Sequence, residues 1–165
     1  MRIRPEMPGD AAVIAAVTQA AFAKAAHSSG TEATIVDSLR RAGALTIALV
    51  AEANGEVVGH IAFSPITVEA RNAGWFGLGP VSVVPDLQGQ GIGSRLVREG
   101  LDLLRAQGAR GCVVLGDPRF YERFGFRVDP RLRYAGVPPE YFMAQGFGQE
   151  VPEGTVAYHP SFDTH

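Results

Sequence analysis

The chain has 165 residues, enough for one domain with a buried core, and its 46% hydrophobic and 19% charged residues are the balance of a globular protein. A net charge of −2 lacks the basic surplus of a nucleic-acid binder that tracks phosphates. The one cysteine, Cys112, lies in the apolar run Cys112-Val113-Val114-Leu115; it reads as core, and it excludes a disulfide framework and a cysteine-rich zinc site.

Ile3-Arg4-Pro5 predicts a short first strand. Asp10 then reads as an N-cap, with Val13, Ile14, Val17, Ala21 and Phe22 at helical spacing on one buried face. This Ala-rich stretch, Ala11 to Ala26, is the only one resembling a targeting segment. It lacks a positive flank, since Glu6 and Asp10 accompany Arg2 and Arg4, and Thr18, Gln19 and Lys24 interrupt it, so it neither directs export nor spans a membrane. The expectation is a cytoplasmic protein with no membrane or nucleic-acid partner. His27-Ser28-Ser29-Gly30-Thr31 breaks the helix, and a second follows from Glu32 to Arg41, with Ile35, Val36 and Leu39 apolar and Gly43 as its stop.

From Leu45 to Ala53 the pattern becomes that of a strand; Asn54-Gly55 and a second run, Glu56 to Phe63, complete a hairpin, because both turn positions need positive φ. Ile66 to Glu69 continues the second strand past a bend at Pro65, and another strand runs from Phe76 to Val84. The loop from Pro85 to Gly91 leads into a helix ending near Gln107, with Ile92, Leu96, Val97, Leu101 and Leu104 as its buried stripe and Gly108 as its stop; Arg95 and Arg98 fall on its exposed face. Gly111 to Gly116 is a continuous apolar strand, as in a sheet interior. Asp117-Pro118 opens a short helix with Asp as N-cap, and Phe126-Arg127-Val128 returns as a strand. In the tail, Phe142-Met143 and Thr155 to Tyr158 are strand pieces. No repeat or linker divides the chain, so residues 1–165 read as a single mixed α/β domain.

A strand, a Gly-rich turn and a helix make an anion site: orphan amides point outward, and the helix dipole adds partial positive charge worth roughly 0.3–1 kcal/mol per contact. In Gln88-Gly89-Gln90-Gly91-Ile92-Gly93 the glycines let backbone approach a bulky phosphate. Three ligand classes compete. An ATP or GTP P-loop requires a lysine that Gly93-Ser94 does not supply. A dinucleotide loop has Gly where Ser94 stands and opens its own sheet, whereas a hairpin and two helices precede this one; Asp117 could serve as its ribose acid. The third class is the ligand of the family loop that the hexapeptide resembles.

The hexapeptide closely resembles the Q/R-x-x-G-x-G/A loop of the GNAT superfamily of N-acetyltransferases. Its surroundings resemble the family too: Leu78 to Val84 looks like the fourth strand, the helix to Gln107 like the third helix, and Tyr121-Glu122-Arg123-Phe124-Gly125-Phe126 like the later Y-x-x-x-G-F element. The likeness covers about residues 1–128 and leaves 129–165 as an extension; Gly116-Asp117-Pro118 and Val137-Pro138-Pro139-Glu140 are closer to the bacterial YhbS-type branch. The resemblance implies an α/β (α+β) fold: a mostly antiparallel mixed sheet flanked by helices, with a splayed central strand pair. Pro80 conflicts with a central strand, which the resemblance resolves by a bulge near Gly79-Pro80 where pantetheine enters. The implied cofactor-binding residues are Val81, Ser82, Val83, Gln88, Gly89, Gln90, Gly91, Ile92, Gly93 and Ser94. Val81 and Val83 would bond pantetheine through their backbone, and Ser82 points the other way along the strand.

Amide formation from a thioester needs a neutral amine, a stabilised oxyanion and a handled thiolate, but no protein nucleophile. The implied activity is direct acyl transfer, usually acetyl from acetyl-CoA, to a small-molecule or peptide amine, without a metal. Tyr121 is the implied catalytic residue, donating a hydrogen bond to the departing sulfur, and a backbone amide of the fourth strand, Val83 first among them, would face the oxyanion. Glu52, His60, Glu69 and Asp86 stand as candidate bases, with a water chain as the alternative and His60 the more natural structural histidine; Asp117 reads as a cap, and Arg119 and Arg123 could meet a phosphate, although arginines of a short helix are usually just solvated. Two other readings are a non-catalytic acyl-CoA sensor of the same fold and a dinucleotide-dependent oxidoreductase. The tail's aromatics either close an acceptor pocket or form a homodimer interface.

Overall fold

The computed structural model describes residues 1–23, 30–148 and 150–163. The expected helix break at His27-Ser28-Ser29 and the end of the Ala-rich stretch, Lys24 to Ala26, lie outside the described residues. In chain order the elements are β1 (Arg2–Pro5), α1 (Ala11–Phe22), α2 (Glu32–Arg41), β2 (Ile47–Ala53), β3 (Glu56–Val68), β4 (Arg71–Val83), α3 (Ile92–Ala106), β5 (Gly111–Leu115), α4 (Pro118–Tyr121), β6 (Leu132–Arg133), β7 (Phe142–Gly146) and β8 (Gly154–Ala157). The sheet runs β1-β2-β3-β4-β5-β7, with β8 on the far end of β3 and β6 on β8. Along the main path only β4 and β5 pair in parallel. This is the mixed, mostly antiparallel sheet flanked by helices that the sequence implied.

Local chemistry explains the main turns. Asn54 and Gly55 both take positive φ (53° and 80°) and close the β2–β3 hairpin. The apolar stripe of α3 (Ile92, Leu96, Val97, Leu101, Leu104) packs on one face of the sheet against Ile61, Phe63, Leu78, Cys112 and Val114. On the opposite face, the tail covers Ile66, Val68, Trp75 and Val113 with Leu132, Phe142 and Val156. There Tyr134 stacks on Phe142 at 5.4 Å and meets Tyr158 edge-on at 5.2 Å, so the tail's aromatics pack on one another. Among the described residues no helix is long and apolar enough to cross a membrane.

Three local expectations are corrected. The Asp10 carboxylate does not cap α1; it accepts the Met7 N–H at 2.7 Å and the Arg4 guanidinium at 2.8 and 3.2 Å. Val13 is exposed, and the buried face of α1 is Ile14, Val17 and Thr18, whose hydroxyl is satisfied by the Ile14 carbonyl at 2.8 Å. Phe126 to Val128 forms no strand, only a bridge from Arg127 to Ala144, because β7 already occupies the edge of β5.

A buried clasp ties the N-terminal segment to the sheet. His60 on β3 is fully buried and contacts Glu6 through Nε2 at 2.9 Å, while Arg40 of α2 donates to both Glu6 oxygens at 2.8 and 3.1 Å. Burial alone would raise the Glu6 pKa, but the hydrogen bonds from His60 and Arg40 outweigh it and lower it to about 2. An ionised carboxylate only accepts, so Nε2 of His60 carries the proton. Because the folded pKa lies below the unfolded one, this stabilisation is complete above about pH 4.5 and is lost as pH falls towards 2; it is on the order of 3 kcal/mol. Glu6→Gln is expected to lower thermal stability at pH 7 and to flatten its decline between pH 5 and 3. Melting curves across that range check it, and an unchanged acid slope would refute the clasp's contribution.

Candidate active site

The site begins where β4 leaves β5. Their ladder runs from Trp75 opposite Gly111 to Leu78 opposite Val114 and stops there. Against β3, Ile61 faces Val81 and Phe63 faces Leu78, so Ala62 alone opposes Gly79 and Pro80. This is a bulge at the expected place, and it reconciles a proline with an interior strand. The Gly79-Pro80 peptide is cis. Beyond the bulge the Val84 N–H bonds the Val58 carbonyl at 2.9 Å, which points it towards β3. Strand alternation then turns the backbone groups of Val81 and Val83 the other way, into the gap left by β5. Gln88 takes up one of them, donating from Nε2 to the Val83 carbonyl at 2.9 Å.

At the mouth of the gap the loop turns into α3. Gly89 and Gly91 adopt φ of 79° and 89° with nothing within 4 Å of an added Cβ, so backbone conformation, not space, requires glycine there. Gly91 is the N-cap and no side chain caps the helix; the first intrahelical bond is Arg95 N–H to Gly91 carbonyl at 3.1 Å. The amides of Ile92, Gly93 and Ser94 are therefore left for a ligand. The groove they adjoin has a volume of about 460 Å³. Val81 and Val83 form one wall, the loop and helix start (Gln88, Gly89, Gly91, Ile92, Gly93, Ser94) another, and Leu87, Phe120 and Arg123 complete it.

Two residues expected at the cofactor stand apart. The Ser82 side chain is buried on the opposite face, donating to Thr18 Oγ1 at 3.3 Å, so only its backbone shares the strand edge. Gln90 is exposed and is not among the lining residues. Tyr121 follows the lining residue Phe120, with ring centroids 4.9 Å apart, and also packs edge-on to Phe126. It fits because Gly116 has no Cβ, which would collide with its ring. Burial, helped by nearby Cys112, pushes the phenol up to about 12. Cys112 itself is fully buried, and burial pushes its thiol pKa up as well.

Three of the four candidate bases are held elsewhere: Glu52 accepts from Arg4 at 3.1 and 3.2 Å, Glu69 accepts the Thr155 N–H at 2.8 Å, and His60 belongs to the clasp. Asp86 is exposed in the turn Pro85–Leu87, just before the glycine loop. Asp117 caps α4 as expected, accepting the Arg119 N–H at 2.9 Å, and also pairs with the Arg119 guanidinium. Arg123 was expected either to meet a phosphate or to be solvated. It lies over the Phe120 ring at 5.0 Å and is the only charged residue among the described residues lining the groove. No periodicity marks it, because it lies in the single turn Glu122–Phe124 that follows α4 and its neighbours come from the fold.

A sheet parted between parallel strands, with bare helix amides at the mouth and a half-buried tyrosine beyond it, defines a CoA-dependent acyltransferase class of fold. Residues 45–128 match the family model for the acetyltransferase (GNAT) domain. The N-acetyltransferase YhbS of Escherichia coli K12, itself uncharacterised, is 38% identical over 171 positions, covering 99% of both chains. Among solved structures, a GNAT family acetyltransferase from Brucella melitensis in complex with acetyl-CoA is 53% identical with a TM-score of 0.89, covering 98% of this chain and 97% of that one. YhbS from Escherichia coli in complex with CoA is 36% identical with a TM-score of 0.88, covering 99% and 92%. The chain belongs to the GNAT acetyltransferase family.

Gly93 offers a direct test of the groove. An added Cβ there would meet Val83 at 3.8 Å and Phe120 at 3.9 Å, ordinary contacts across the groove floor. Gly93→Val is expected to keep the fold, with a melting shift of a few degrees at most, and to weaken acetyl-CoA binding at least tenfold. Calorimetric titration of both proteins measures it; unchanged affinity would place the donor elsewhere.

Proposed function

We propose that the chain transfers an acetyl group from acetyl-CoA to a small-molecule or peptide amine by direct attack, with the donor lying in the groove along β4. The observation that carries this reading is the free edge of Val81 and Val83 running into the uncapped amides of α3. Pantetheine, an amide chain, pairs with a strand edge, and its pyrophosphate suits a helix start. The Brucella relative was crystallised with acetyl-CoA and YhbS with CoA. Arg123 supplies a cation beside a polyanionic donor.

In the reaction the neutral amine attacks the thioester carbon, the oxyanion accepts a hydrogen bond from an N–H of the open β4 edge (Val83 first among them), the nitrogen gives up its proton to water, and the C–S bond breaks as the tetrahedral intermediate collapses to amide and CoA thiolate. The buried thiol of Cys112 is no nucleophile, which favours direct transfer over an acyl-enzyme. With a pKa near 12, Tyr121 would lose about 5 kcal/mol by giving its proton to a thiolate of ordinary basicity. Its role is therefore to donate a hydrogen bond to the departing sulfur and keep the proton. We place the reaction in the cytoplasm.

Tyr121→Phe is expected to lower kcat roughly a hundredfold and leave acetyl-CoA affinity within twofold. Release of free CoA thiol across a panel of small amines, peptide N-termini and lysine peptides reads both the acceptor and this effect. Unchanged turnover in the variant would remove the role of Tyr121, and CoA-thiol release on none of the amines would favour a non-catalytic acyl-CoA sensor.

A further inference from the structure

The free edge of β4 has a counterpart across the gap, on β5. The Gly116 N–H bonds the Tyr141 carbonyl at 2.9 Å and the Phe147 N–H bonds the Arg110 carbonyl at 3.0 Å, so Cys112, Val114 and Gly116 turn their backbone groups to β7. Alternation turns those of Gly111, Val113 and Leu115 to β4. In a parallel ladder such a residue gives its N–H to one carbonyl of its neighbour and accepts from the N–H two residues further on. Val113, opposite Gly77, is thus placed between the Phe76 carbonyl and the Leu78 N–H. One step on, the Leu115 N–H falls to the Leu78 carbonyl, but the Leu115 carbonyl is due an N–H from residue 80, which is proline. Among the described residues no turn or loop N–H bonds that carbonyl instead.

Leu115 is also open to approach. It is 42% exposed although β5 lies between β4 and β7, because β4 has already turned away. Its side chain follows Val113 onto the face that the tail covers, whereas Val81 and Val83 pack with the α3 cluster. The next residue, Gly116, is the one whose missing Cβ admits the Tyr121 ring, so this peptide lies beside the tyrosine assigned to the sulfur. A donor held by the β4 edge has N–H groups for its oxyanion on that side of the gap; the attacking nitrogen needs an acceptor on the other. We propose that the Leu115 carbonyl receives the acceptor amine, taking a hydrogen bond from its N–H and turning the lone pair towards the thioester carbon. This rests on the donor lying along β4. The contact strengthens as the nitrogen gains positive charge, so it favours the transition state over the bound amine. Nitrogen bonds the carbonyl carbon, its proton goes to water, and sulfur leaves with the C–S electron pair; the Leu115 oxygen takes no proton. Pro80 thereby has a second use, since any other residue there would bring an N–H to occupy that oxygen.

Two non-reacting CoA thioethers test the contact without a known acceptor. One, CoA–S–CH2–CO–NH–propyl, carries an N–H where the amine would stand; its ester, CoA–S–CH2–CO–O–propyl, sets an accepting oxygen against the carbonyl. By calorimetric titration the wild-type protein is expected to bind the amide roughly tenfold more tightly than the ester. A crystal structure of the amide complex should place the amide nitrogen within hydrogen-bond distance of the Leu115 oxygen. Pro80→Ala supplies the missing N–H and should bring the affinity ratio to about twofold or less, with ester affinity close to wild type. Equal binding of the two ligands by the wild type, an amide nitrogen bonded elsewhere, or an undiminished ratio in Pro80→Ala overturns the contact. Gly93→Val separates the two readings: it weakens both ligands if the donor lies in the groove, and weakens neither if that reading is the one that fails.

Discussion

Everything at the site depends on where β4 loses its second neighbour. β4 stays hydrogen-bonded to β3 past the bulge, but its ladder to β5 ends at Leu78 and Val114. A sheet interior must satisfy both edges of each strand, so a strand released on one side leaves donors and acceptors in need of partners. At Val83 the chain meets part of that need itself, through Gln88, which braces the loop against the strand. What remains is an open strand edge continuous with an uncapped helix start. Gly79-Pro80 marks the release, since proline has no N–H to lose from a ladder and the extra residue of the bulge lets the strand bend away.

The parallel sense of β4 and β5 is what collects the rest. Parallel neighbours end on the same side of a sheet, so the loop into α3 and the turn into α4 emerge at one rim. An antiparallel β5 would have sent Tyr121 and Arg123 to the far end. Two features hold α4 against that rim at close range: Gly116, whose missing Cβ admits the Tyr121 ring, and the Asp117 cap at the start of the turn. The turn that carries Tyr121 and the glycine loop, separated in the chain by α3 and β5, therefore meet at one rim, where Phe120 faces Gly93.

This also explains what the amino-acid sequence made legible. The β2–β3 hairpin, the stripe of α3, the glycine loop and the Asp117 cap are written in residues a few positions apart, because turn conformation and helix periodicity are local properties. The bulge was legible as a conflict, a proline in an interior strand. Other features depend on partners far along the chain and leave no local mark. Asp10 looks like an N-cap until Arg4 is known to lie against it. Glu6, Arg40 and His60 come from three elements, and no spacing announces their clasp. Alternation already turned the Ser82 side chain away from Val81 and Val83, but only the fold supplies the partner it meets, Thr18. Tyr158 was read only as the end of a strand piece and one of the tail's aromatics; its place over Gly77 follows from β8 pairing with the far end of β3.

The two faces of the sheet treat charge and polarity differently, and the division follows function. The groove side offers backbone dipoles and, among the described residues at its wall, a single guanidinium, Arg123, held over Phe120. Dipoles of a strand edge and a helix start are fixed before the ligand arrives and need no counterion, so water can leave the groove without stranding a buried charge. On the opposite side the charges are paired within the protein, Glu6 with Arg40 and Arg4 with Asp10 and Glu52, so they fasten the N-terminal segment to the sheet and leave none of these carboxylates without a cation.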